Sequence, residues 1–152
     1  WKDVGTIQSL WEANMDLLGD SPEFSLSDEK WRIYTRHRAL APQYIGDEAK
    51  ITNSIVSEGC EIYGSVENSV LFAGVKVMPG AKVRDAVVMS GTVIDSGADV
   101  SYSIIDTDVE IGAGAAVGGE RGSKDGISVI GAGEKIADGQ KVAAGAMIPD
   151  VR

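Results

Sequence analysis

One carboxylate stands in a setting where it could do chemistry. Asp3 lies within Trp1-Lys2-Asp3-Val4-Gly5-Thr6, just ahead of a helix start. In that place it can complement the positive end of a helix dipole, a contribution of roughly 0.3–1 kcal/mol. It can also serve as one ligand of Mg²⁺, an ion held by one or two carboxylates together with substrate phosphates. A second carboxylate would then have to come from outside this chain. Arg32, Arg36, His37 and Arg38 form the most basic local segment. Arg36 and Arg38 are candidates for a phosphate or sulfate site, set against the plainer reading of solvated charge. The remaining inventory is thin. With one histidine and one cysteine there is no His/Cys metal cluster, and a thiol–imidazole pair would require His37 and Cys60 to meet. Neither a GxxxxGK[ST] phosphate loop nor a GxGxxG following a strand occurs. These residues do not compose a self-sufficient active site.

The elements that must position them begin with a helix. Thr6 precedes Ile7, Leu10, Trp11, Asn14, Leu17 and Leu18, a spacing that predicts a helix capped by Thr6 and closed by Gly19. Its wide apolar stripe needs a surface to bury against. Residues 20–44 read as a connector, with a turn at Asp20-Ser21-Pro22, a short helical turn near Ser27–Lys30 and a short strand at Trp31–Thr35. Beyond them the chain changes character. Ile51, Val66, Val83, Val100 and Val117 form one aliphatic column, Val56, Leu71, Val88 and Ile105 a second, and Ile45, Ile62, Val77, Ile94 and Ile111 a third. Steps within a column are mostly 17, with a shorter step of 15 between the Ile51 and Val66 rungs. Three aliphatic positions per short period predict an all-β solenoid over residues 45–152, with Gly46, Gly59, Gly74, Gly80, Gly91 and Gly97 near its corners.

Two irregularities bear on function. The second column is doubly apolar, as in Asn68-Ser69-Val70-Leu71 and Asp85-Ala86-Val87-Val88, so aliphatic groups point outward as well as inward. That outer face requires a cover: the N-terminal helix, an absent domain or another subunit. The ladder also breaks after Val117 and resumes at Val129-Ile130, extruding about eight extra residues around Gly118–Asp125 before running on through Ile136, Val142 and Ile148. Such an insertion maps to a surface loop, either a binding or assembly surface or a neutral elaboration. Cys60, two residues before Ile62, sits where other repeats carry Val75, Thr92 and Val109, and reads as a small wall residue.

The chain's 152 residues suffice for one domain with an appendage, and 19 glycines with 6% aromatics suit a Val/Ile-filled coil. A net charge of −9 argues against nucleic acid or an anionic membrane surface as partner. No stretch approaches a membrane span, and a lone cysteine suits a reducing cytosol. The chain opens at Trp1 without a Met, which reads as the later part of a longer protein.

The residues from Trp1 to Ile7 resemble the (Y)W-[KR]-D-V-G-T motif of the sugar-nucleotide pyrophosphorylases. Leu10–Leu18, Ile33-Tyr34-Thr35, Leu40-Ala41-Pro42, Asn53–Cys60 and Ser69–Phe72 are similar to bacterial glucose-1-phosphate adenylyltransferases, also called ADP-glucose pyrophosphorylases. This resemblance implies a nucleotidyltransferase domain upstream, with residues 1–19 as its helical end and 20–44 as a connector. Residues 45–152 then form a left-handed parallel β-helix, the hand coming from the resemblance rather than the periodicity. It implies that the whole protein makes ADP-glucose and pyrophosphate from ATP and glucose 1-phosphate with Mg²⁺, for glycogen synthesis. It further implies that Asp3 binds Mg²⁺, that the β-helix serves regulation and assembly into a tetramer, and that this portion alone is inactive. One departure is Gly131 after Val129-Ile130, where plant-type members carry a lysine. The alternatives are a sister enzyme of GDP-mannose type, a hexapeptide-repeat acyltransferase for which His37 is the one candidate histidine, and a purely structural assembly module.

Overall fold

Stiff β-branched side chains dominate the rungs and suit a pleated backbone. The computed structural model describes residues 1–20, 22, 26, 30 and 39–149, and within these it contains one helix and eighteen strands of two or three residues. Every strand pairs in parallel with its counterpart one coil away, giving three six-stranded sheets wound as six coils. The ladders are the columns expected from spacing. Ile51, Val66, Val83, Val100 and Val117 stand in register and continue to Val142. Val56, Leu71, Val88 and Ile105 continue to Ile130 and Ile148. Ile45, Ile62, Val77, Ile94 and Ile111 continue to Ile136. These side chains fill the bore, and Ile62, Leu71, Val83, Ile94 and Ile105 have no exposed surface. In the first coil Ile45 is 42% exposed, and among the described residues no further rung lies on its outer side.

The short step has a local cause. Between Ile62 and Val66 the corner lacks two residues that later coils possess, and Gly64 bridges the gap with its N–H directed at the Val77 carbonyl. A Cβ at Gly64 would lie 2.4 Å from the Ala81 carbonyl oxygen. Gly59, Gly74, Gly80, Gly91 and Gly97 adopt positive φ as corners require, whereas Gly46 does not. Its hydrogen instead leaves room for the Tyr63 ring, 3.0 Å from where a Cβ would stand.

Another corner is built without glycine. Asn53, Asn68, Asp85 and Tyr102 stack above one another at φ between 43° and 50°. Asn and Asp tolerate this left-handed region through local hydrogen bonding. Here the bonding runs between coils: Asn53 Nδ2 donates to Asn68 Oδ1 at 2.8 Å, and Asn68 Nδ2 donates to Asp85 Oδ1. Beneath them, the hydroxyls of Ser54 and Ser69 donate to carbonyls two residues back and accept from the N–H of Ser69 and Ala86 in the next coil.

The helix, α1, spans Ile7–Met15 and is shorter than its apolar spacing predicts. Thr6 caps it in a reciprocal box with Ser9, each side-chain oxygen accepting the other's backbone N–H at 3.1 Å. Asp16 is the C-cap, and Leu17 and Leu18 belong to a tight turn, their N–H groups donating to carbonyls only three residues back. Gly19 does take a positive φ of 98°, three residues beyond the cap. The strand expected at Trp31–Thr35 and most of the turn at Ser27–Lys30 lie outside the described residues.

The candidate junction of helix, corner and loop

α1 covers the doubly apolar column at its middle. Trp11, 3% exposed, packs with Val87, Tyr102, Ile104 and Ile127, flanked by Ile7, Leu10, Met15 and Met89. Its indole N–H donates to the Asp85 carbonyl at 2.7 Å, and its ring meets Tyr102 edge-on with centroids 5.1 Å apart. Tyr102 thus departs from the Asn/Asp pattern of its corner and presents a ring to the helix, with its hydroxyl 3.3 Å from Gln8 Oε1. The cover expected for this face is therefore supplied in part from within the chain. Toward the ends, Phe72 and Met147 remain 37% and 42% exposed.

The extruded loop closes over the same junction. Arg121 lies 4.9 Å above the Trp11 ring and 3.3 Å from Asp85 Oδ1. Glycines seat the loop's ends. A Cβ at Gly118 would meet the Ser101 carbonyl oxygen at 1.9 Å, and one at Gly145, in the last coil, would meet the Asp125 carbonyl oxygen at 1.8 Å. Between the loop and the outer side of the Val100 column runs an open groove of about 410 Å³. Arg84 forms its other wall, held by both oxygens of Asp99 at 2.9 and 3.0 Å and by the Ser101 hydroxyl at 3.1 Å. Both arginines of this groove are matched to carboxylates, and Glu120 adds a further acid. The groove is a charged seam, not a cradle for an anion.

Asp3 lies on the exposed N-terminal segment, where Oδ1 accepts from the Gly5 N–H at 3.0 Å. Lys2 pairs with Asp16, fastening this segment to the far end of α1. Among the described residues, no group of three or more His, Cys, Asp or Glu is placed to hold a metal ion. The exposed Asp3 carboxylate is an oxygen donor of the kind Mg²⁺ takes. Arg36, His37 and Arg38 lie outside the described residues, so the structure neither assembles nor disperses that basic segment. Cys60 is fully buried in the wall with its thiol directed at the Phe72 carbonyl, and burial pushes its pKa up despite nearby backbone N–H groups. On the surface, a hydrogen bond and then the charge of Lys76 hold Glu61 below the usual carboxylate range, while Lys76 is raised in turn. Composition and spacing pointed to Asp3 and the two arginines, but missed Arg84, Asp85, Asp99 and Arg121. The readable signal for Arg121 was its place in the only break of the ladder.

A three-sheeted parallel β-helix with a capped helix docked on one corner defines a hexapeptide-repeat protein. The family described as GlmU-like, C-terminal hexapeptide matches residues 40–129, and the chain belongs to it. Among curated relatives, a glucose-1-phosphate adenylyltransferase of Acetivibrio thermocellus is 42% identical over 97% of this chain and 37% of its own length. Proteins of the same name from Bacillus mycoides and Bacillus anthracis are 43% identical over 82% of the chain and 33% of theirs. The chain spans about a third of the length of these relatives.

Proposed function

We propose that this chain is the C-terminal part of a glucose-1-phosphate adenylyltransferase, which joins ATP and glucose 1-phosphate into ADP-glucose and releases pyrophosphate. The observation that carries this reading is the 42% identity extending over 97% of the chain. On this reading residues 1–19 end the nucleotidyltransferase domain, 20–44 connect, and 45–152 form a left-handed β-helix that supports assembly and regulation. Asp3 would supply one ligand to Mg²⁺, with further ligands from residues upstream, and the bound ion would supply charge neutralisation at the substrate phosphates. The complete protein works in the cytoplasm as a homo-oligomer, with Arg36 and Arg38 as candidates for a regulatory anion site.

The test is the complete enzyme with ATP, glucose 1-phosphate and Mg²⁺. ADP-glucose and pyrophosphate should form in equal amounts, and Asp3→Asn should lower kcat by roughly a hundredfold or more while the far-ultraviolet spectrum is unchanged. Preference for GTP with mannose 1-phosphate would move the protein to the sister activity. Acetyl transfer from acetyl-coenzyme A would overturn the nucleotidyltransferase reading altogether.

A further inference from the structure

The eight additional residues of the 118–128 loop were open to two readings, a docking surface or a neutral elaboration. Its contacts support a third. We propose that this loop is a strap, and that Arg121 is a positioning residue holding α1 against the solenoid corner. Three groups meet there. The Arg121 guanidinium lies 4.9 Å over the Trp11 ring, its Nη1 reaches Asp85 Oδ1 at 3.3 Å, and the Asp85 carbonyl accepts the Trp11 indole N–H at 2.7 Å. A flat, permanently charged guanidinium can serve the ring face and the carboxylate together, which a lysine could not do equally well.

The strap's own footing is rigid. Gly118 takes φ +85° with its α-carbon packed on the Ser101 carbonyl, and Gly145 admits the Asp125 carbonyl. The loop is therefore anchored to the fourth coil at one end and to the last coil at the other, with Arg121 between. The anchorage extends to the N-terminal segment. Because Lys2 pairs with Asp16, the residues around Asp3 are fastened to the helix that Arg121 holds down. Movement of the strap would release that segment without unwinding a coil.

Amide hydrogen exchange tests this without any turnover, so its failure is distinguishable from failure of the enzymatic reading. In Arg121→Ala, exchange of the Leu10–Met15 amides should accelerate roughly three- to tenfold, as loss of a half-exposed cation–π contact and ion pair implies. Strand amides of the first three coils should keep their rates. Arg121→Met, which retains the aliphatic stem, gives the same comparison should the alanine variant fold poorly. Glu120→Ala perturbs the adjacent loop position and should leave the helix unchanged. Helix exchange within twofold of the unmodified chain in the Arg121 variants would overturn the proposal. So would equal acceleration in all six coils, or an equal effect from Glu120→Ala.

Discussion

At Cys60 the wall of the coil contributes a thiol where the neighbouring coils place Val75, Thr92 and Val109, all four without exposed surface. The side chain is used for its volume, so Cys60→Val should change stability by less than about 1.5 kcal/mol in urea unfolding. Iodoacetamide should modify the native chain far more slowly than the denatured one. The folded thiol pKa is raised by burial, so stability from the neutral thiol is intact below the ordinary thiol range. It is lost as pH climbs through the folded value; the unmodified chain should therefore lose stability relative to Cys60→Val in alkaline buffer. Gly64 makes the opposite demand on volume. With 2.4 Å between a prospective Cβ and the Ala81 carbonyl oxygen, Gly64→Ala must shift the backbone. A loss of roughly 1–3 kcal/mol is expected, read as a lower urea midpoint at unchanged slope. The spacing revealed that two residues were missing; it could not reveal that Gly64 bridged them, since that depends on the carbonyl of the coil beside it.

α1 was legible as a helix because Thr6 and the apolar spacing are both local signals. Its end was not, because Leu17 and Leu18 continue the apolar pattern while their N–H groups close tighter turns. The doubly apolar column announced that something must cover it, and the helix does so at Val87 and Ile104. Nothing local could show that Tyr102 would take a left-handed corner to meet Trp11. Trp11→Ala removes the centre of this contact. Truncating a buried tryptophan costs about 3–5 kcal/mol where the loss is global. Here the loss should be local, abolishing helix protection in hydrogen exchange while the circular dichroism of the sheet melts at nearly its original temperature. A melt lowered across the whole chain would instead show the helix to be integral to the coil.

The three ladders could be read almost completely from the sequence, for a physical reason. In a solenoid every core position recurs at a fixed separation, so tertiary register is itself a sequence period. The junction could not be read in this way, since Arg121 and Trp11 meet across 110 positions that no period connects. The chemistry was the least legible. Asp3 is one ligand without its companions, and Arg36 and Arg38 lie outside the described residues.

The insertion also bears on how the coils form. Across most of the molecule a strand finds its partner 15 or 17 residues away, whereas Ile105 must find Ile130 at 25. Extending a closure from 17 to 25 residues costs only roughly 0.3 kcal/mol in chain entropy, so the native state tolerates it. A folding front that starts among the central coils should nevertheless pass this longer span last. The strands beyond it then form a seam of delayed closure, and at low urea Ser128–Ile148 should lose amide protection before the first four coils unravel.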